Sequence, residues 1–196
     1  RGCDSDIVID GNDHIYISYQ VRDQSKLKVA TNKSGSWDLY TADSGASLSS
    51  LYPGYMTSMV MDGQGQLHIA HYDDKDDDLR YSTGITNGQW TTTIVESSGP
   101  TGREPSIAVD IADNPHIVYH SWNGFNLKYA SLNSATSSWT VSTISNADVG
   151  NGDSLFIDQN GVMHVSFYDG DSEVMKYATK STGLIQTNEI RVQFGQ

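Results

Sequence analysis

Ser106-Ile-Ala-Val-Asp110, a turn through Asn114, Pro115-His-Ile-Val-Tyr-His120, Leu127-Lys-Tyr-Ala130 and then Trp139 make a phrase that the chain writes four times. The aspartates closing its first run are Asp10, Asp62, Asp110 and Asp158, spaced 52, 48 and 48 residues apart. Seventeen residues after each stands Leu27, Leu79, Leu127 or Met175. Self-similarity at such a period marks stacked supersecondary units that cannot bury their apolar faces alone.

Each unit reads as four short strands. The runs Ile7 to Asp10, Ser58 to Asp62, Ser106 to Asp110 and Ser154 to Asp158 are brief and apolar, as buried strands are. Turn residues rich in Gly, Asn and Asp follow. A second, alternating strand covers His14 to Tyr19, Gln66 to Tyr72, Pro115 to His120 and Val162 to Tyr168. Bulky residues occupy both of its faces, so each sheet is expected between neighbours. The third strand is nearly invariant: Leu27-Lys-Val-Ala, Leu79-Arg-Tyr-Ser, Leu127-Lys-Tyr-Ala and Met175-Lys-Tyr-Ala. The fourth starts at Trp37, Trp90 and Trp139, with Leu184 in the last copy. No long 3.6-residue apolar period occurs, so no helix is predicted.

The predicted fold is therefore all-β: a β-propeller of four-stranded antiparallel blades, four in this chain. The blades run approximately over 5–52, 53–100, 101–148 and 149–196. Four blades can close into a small ring, form half of a larger ring made by two chains, or be a fragment of one. The tail from Glu189 to Phe194 offers strand material for closure.

Composition narrows the partners. There are 24 acidic residues against 12 basic ones, for a formal charge of -12. That opposes binding to nucleic acid or an anionic membrane, which needs a positive footprint. No run is long and apolar enough for a membrane span. Cys3 is the only cysteine, so no internal disulfide forms; it reads as a chance thiol or one pairing outside this segment.

The order apolar run-Asp-turn-His-apolar-Tyr-Asp, then Leu-Lys-Tyr-Ala, then Trp, resembles blades of secreted or surface-anchored microbial propellers distantly related to sialidase-like and propeller-lectin groups. The resemblance implies an extracellular or cell-surface setting and, if catalysis occurs, a glycosidase or lyase. A sialidase-like site would need three arginines clamping a carboxylate. This chain has five in all: Arg1 at the terminus, Arg80 in a repeated position, Arg191 in the tail, and Arg22 and Arg103. The Ser-x-Asp-x-Gly-x-x-Trp turn common in that group is absent.

Residues repeated in every copy are read as serving the blade. His68, His116 and His164 are expected to make a structural hydrogen bond across their hairpins. Trp37, Trp90 and Trp139 are expected to anchor the outer strand. Function is sought where the copies diverge, in the second-to-third and fourth-to-first connections, which share one face around the channel mouth. The candidate ligand-binding residues there are Tyr52, Tyr55, Arg22, Arg103, Glu104, Trp122, Asn123 and Phe125. Their aromatics suit sugar stacking or a protein anchor. Asp73, Asp74, Asp76, Asp169 and Asp171 are the candidate metal ligands. Oxygen-rich loops suit Ca2+, although the spacing of a dedicated calcium loop is missing; no cofactor is otherwise required. The reading is a non-catalytic module for a glycan or cell-surface protein. The alternatives are an assembly role, including a homo-oligomer that completes the ring, and a sialidase-like glycoside hydrolase or lyase.

Overall fold

The structure, a computed structural model, describes residues 5–21, 26–45, 53–73, 76–86, 88–146, 152–180 and 185–190, without the side chains of 53–55 and 190. Those residues form sixteen strands and no helix. Blade 1 holds β1 (Ser5–Ile9), β2 (Ile15–Val21), β3 (Lys26–Thr31) and β4 (Asp38–Asp43). Blade 2 holds β5 (Pro53–Met61), β6 (Leu67–Asp73), β7 (Asp78–Gly84) and β8 (Trp90–Glu96). Blade 3 holds β9 (Thr101–Val109), β10 (Pro115–Ser121), β11 (Asn126–Asn133) and β12 (Ser138–Ser145). Blade 4 holds β13 (Ser154–Ile157), β14 (Met163–Asp169), β15 (Val174–Lys180) and β16 (Gln186–Ile190). Within each blade the strands lie in chain order, antiparallel.

The repeated aspartate explains the tightness of the first hairpin. Asp110 Oδ1 accepts the N–H groups of Ala112 and Asn114, both at 2.9 Å. Asp10, Asp62 and Asp158 do the same in their own blades. A carboxylate in this place satisfies donors that the turn would otherwise leave unpaired. Burial pushes the Asp62 and Asp110 carboxyls up, but the hydrogen bonds they accept outweigh it and hold both below the ordinary range.

Behind the aspartate sits the histidine, and its partner is the repeated tyrosine of the third strand. His116 Nε2 lies 3.3 Å from Asp110 and its Nδ1 lies 2.5 Å from Tyr129 Oη. His68 bridges Asp62 at 3.1 Å and Tyr81 at 2.6 Å; His164 joins Asp158 and Tyr177. A carboxylate facing Nε2 fixes the proton there and leaves Nδ1 to accept from the phenol. Blade 1 makes a compensated exchange: Tyr16 replaces the histidine and donates to Asp10 at 3.0 Å, and Val29 replaces the tyrosine.

Hydrophobic clusters join the blades in sequence. One packs Met59, Leu67 and Ile69 of blade 2 on Tyr16, Leu27 and Val29 of blade 1. A second joins blades 2 and 3 through Leu79, Tyr81, Ile107 and Ile117. A third joins blades 3 and 4 through Val118, Leu127, Leu155 and Phe167. Each fully buried side chain of this size contributes about 1.5–3 kcal/mol, against about 1 kcal/mol for a hydrogen bond, so apolar packing dominates cohesion. Hydrogen bonds set the register between blades instead. Met59 N–H donates to Asp6 Oδ2 at 2.7 Å, Ile107 N–H to Ser58 Oγ at 3.3 Å and Leu155 N–H to Ser106 Oγ at 3.0 Å.

Two tryptophans stand at seams, and Trp90 also packs on Gly84 of its own blade. Trp139 meets Tyr81 of blade 2 edge-on, with centroids 5.2 Å apart, and Trp90 lies on the cluster between blades 1 and 2. Trp37, with no earlier blade to cover, is exposed. Two of the repeated cations also tie blades together: Lys128 pairs with Glu96 of blade 2, and Arg80 with Asp43 of blade 1 at 3.3 Å. The tail segment forms β16 at the edge of blade 4, paired with β15, so that part of it is not a closing strand.

Candidate functional site on the variable loop face

Two strands expected to begin near Ser58 and Ser106 begin five residues earlier, at Pro53 and Thr101. The extension is irregular, with register shifts against β6 and β10. Sequence patterning missed it because bulges break the alternation that reveals a strand. Arg103 and Glu104 are consequently strand residues and not loop residues. Glu104 sits at φ 48°, and Met56 in the equivalent place at φ 65°.

Gly102 determines where Arg103 goes. It has φ +100°, and a Cβ there would lie 2.5 Å from Leu79 Cα of blade 2. Only glycine permits both the left-handed angle and this approach of two backbones. Neighbouring bonds secure the segment: Thr101 N–H donates to Asp77 O at 3.0 Å, and Trp122 N–H to Pro100 O at 2.8 Å.

Arg103 thereby crosses from blade 3 toward blade 2 between two aromatic rings. Its guanidinium carbon lies 3.6 Å from the Trp122 ring centroid and 4.9 Å from that of Tyr72. Arg103 Nη2 donates to Tyr72 Oη at 3.2 Å, and Tyr72 donates to Asp77. Stacking of this kind holds a planar cation and orients both rings. Burial first, and the bond to Asp77 second, push the Tyr72 hydroxyl well above its usual range, so it stays protonated.

The turn from β10 to β11 presents the exposed part of the site. Gly124 and Phe125 take φ of 95° and 54°. Asn123 Nδ2 donates to Ser98 O at 3.0 Å, tying the turn to the link between blades 2 and 3. Trp122 remains 48% exposed and Phe125 52% exposed. A held indole beside a second exposed ring and amide groups makes a platform that can stack on a flat apolar face and hydrogen-bond hydroxyls at its rim.

Of the candidate ligand-binding residues, Arg103, Trp122, Asn123 and Phe125 come together here. Glu104 belongs to the neighbouring seam, where its Oε2 accepts Gly152 N–H at 2.8 Å. Tyr52 and Arg22 lie outside the described residues. Tyr55 is on β5, with its side chain outside them. The reading missed Tyr72 and Asp77, the base on which Arg103 rests. Tyr72 belongs to a place where the copies disagree (Gln20, Tyr72, His120, Tyr168), and that was a usable signal.

The described acidic candidates do not assemble. Asp73 accepts from Arg80 at 2.7 Å in blade 2, and Asp169 pairs with Lys176 in blade 4 and accepts Ser172 N–H at 2.9 Å. These two carboxylates neutralise strand cations, and blade 3 lies between their blades. Asp74 lies outside the described residues; Asp76 adds to the negative field that, after burial, raises Asp78. Asp171 sits in the turn from β14 to β15. Among the described residues no group of three His, Cys, Asp or Glu side chains can hold a metal ion.

One acid stands apart. Asp153 is raised to about 7, by burial first and then by the charge of Glu104, and both its oxygens are buried without a hydrogen-bond partner. With both carboxylate oxygens turned away from solvent, it cannot reach a substrate as it stands.

No protein-family model matches the chain, and no curated protein sequence does. Solved structures match the fold. AofleA from Arthrobotrys oligospora aligns with a TM-score of 0.66 at 16% identity, over 96% of this chain and 56% of that one. An alpha-L-arabinofuranosidase, CtGH43, from Clostridium thermocellum aligns at 0.59 and 13% identity, over 95% and 72%. An exo-beta-1,3-galactanase from Phanerochaete chrysosporium aligns at 0.59 and 15% identity, over 95% and 49%. The likeness shows a β-propeller fold. The chain spans about half the length of AofleA and of the galactanase.

Proposed function

We propose that the chain is a non-catalytic carbohydrate-binding module that works outside the cell or at its surface. The supporting observation is the Trp122–Phe125 platform, held from beneath by the Trp122–Arg103–Tyr72–Asp77 stack. Among the described residues nothing in the other blades repeats it, so one site per chain is expected. The names of two fold neighbours, an arabinofuranosidase and a galactanase, place the fold among proteins that act on sugars, which supports the ligand class. A cell-surface protein carrying such a glycan is the natural partner. No helix among the described residues is long and apolar enough to cross a membrane.

Sugar hydrolysis is the second reading, favoured by the same neighbour names. It requires a carboxylate pair open to substrate, whereas Asp73, Glu96 and Asp169 are engaged by cations and Asp153 is closed off.

The test is a glycan array probed with wild type and with Trp122→Ala, each in Ca2+ and in chelator. The proposal expects specific spots, kept in chelator and weakened at least tenfold by the substitution. A blank array overturns it. Spots lost only in chelator would move the site to the acidic loops, and release of reducing sugar from bound glycans would establish the hydrolase.

A further inference from the structure

Asp113 ties two hairpins together. From the turn between β9 and β10 it reaches the matching turn of blade 2, where one carboxylate oxygen accepts Gly63 N–H at 3.1 Å and the other accepts Gln64 Nε2 at 3.3 Å. A backbone N–H and a side-chain amide thus grip a carboxylate between neighbouring blades, and an ionised acceptor makes such bonds stronger than neutral ones. One seam earlier the same donors stand without their acceptor. Gly11 and Asn12 occupy the places of Gly63 and Gln64, but the place of Asp113 is held by Gly65. Neither the Gly11 N–H nor the Asn12 side-chain amide has a hydrogen-bond partner among the described residues.

Gly65 keeps the left-handed backbone of Asp113, with φ +82° against 61°, and a Cβ on it would meet nothing within 4 Å. Between the two turns lies a cavity of about 470 Å³, bordered also by Tyr16, Met61 and Lys33. Lys33 is a cation that no other blade places there: the same position holds Ile85, Asn133 and Ser181 in blades 2, 3 and 4. It forms no ion pair among the described residues. Asp10 and Asp62 border the cavity too, but their oxygens are taken by their own turns and by His14, Tyr16 and His68. Such neighbours do not exclude an anion, since Asp113 itself bridges the turns of Asp62 and Asp110.

From this we infer a binding site for a carboxylate-bearing sugar, a uronic acid, between the first hairpins of blades 1 and 2. Its carboxylate takes the position that Asp113 fills one seam later, bound by the Gly11 N–H, the Asn12 amide and the Lys33 ammonium. The cavity is of the size that holds small ligands, and Gln64 Oε1 and Asn12 Oδ1 remain to accept hydroxyls. The choice of a sugar rests on the carbohydrate-binding function proposed for the chain, whereas the need for a carboxylate rests on the hairpins alone. These turns lie at the opposite ends of the strands from the turn that carries Trp122, so the site is distinct from the platform.

Nitrogen-15 NMR of the chain, titrated with sodium glucuronate at constant ionic strength, reads the site directly. The Gly11 amide and the Asn12 side-chain amide should shift to saturation while the Trp122 indole stays still. Glucose, which lacks the carboxylate, should shift neither. Lys33→Ala should weaken binding by about fivefold, the upper range for an exposed ion pair, and Lys33→Arg should retain it. Gly65→Asp should abolish it with unchanged far-ultraviolet circular dichroism, because the chain's own carboxylate then fills the cavity as Asp113 does. Trp122→Ala should leave glucuronate binding intact, which separates this site from the platform. No saturable shift at Gly11 overturns the inference. So does equal binding of glucose, or glucuronate binding that survives Gly65→Asp. Tighter binding of N-acetylglycylglycine, a peptide carboxylate, overturns the assignment of a sugar.

Discussion

At Asp153 the chain carries a carboxyl whose burial, reinforced by the charge of Glu104, raises it from near 3.8 to about 7. The unfolded chain releases this proton near pH 4 while the folded chain keeps it, so stability contributed by the protonated acid is lost as pH rises from about 4 to about 7. Asp153→Asn cannot ionise. Thermal melts should therefore show the variant gaining on wild type across that window, with the two coinciding below it. A gap that is the same at pH 4 and pH 8 would contradict the buried-acid account. Sequence offered no sign of this residue: Thr57, Pro105 and Asp153 share a place in three blades, and only the seam makes the carboxylate costly. Arg103 and Trp122 were legible as loop chemistry because they break the repeat. That they stack was not, since it depends on Gly102 and on Tyr72 from another blade.

The hairpin aspartates and their histidines were legible because they recur at one offset, and a recurring polar group near a core needs a partner. Tyrosine as that partner escaped notice because it lies on the third strand, thirteen residues after the histidine, with no local spacing to link them. Its importance is measurable. Tyr129→Phe should cost about 1–3 kcal/mol in urea unfolding, the usual cost of leaving a buried group without its bond. Blade 1 shows how the loss is absorbed, with Tyr16 and Val29 exchanged together. The double variant His116→Tyr/Tyr129→Val should accordingly be less destabilised than the sum of its singles, by about 1 kcal/mol. Simple additivity would mean that the histidine and tyrosine act independently. Strand starts were the weaker part of the reading, since the bulged N-terminal parts of β5 and β9 lose the two-residue period.

For the whole molecule, four repeated units were readable from the spacing alone, whereas the exposure of Ile7 on blade 1 and of Phe156 on blade 4 was not, because every copy carries the same inward pattern. The proposed function assigns recognition to the divergent platform of Trp122 and Phe125 and structure to the repeated residues. That claim is best tested through the four indole N–H signals of Trp37, Trp90, Trp122 and Trp139, followed by nitrogen-15 NMR during titration with a saccharide library. The signal lost in Trp122→Phe assigns the platform. The account predicts that a binding saccharide moves the Trp122 indole and leaves Trp37, Trp90 and Trp139 in place. A saccharide that binds while the Trp122 signal stays still, or a library that moves nothing, would contradict it.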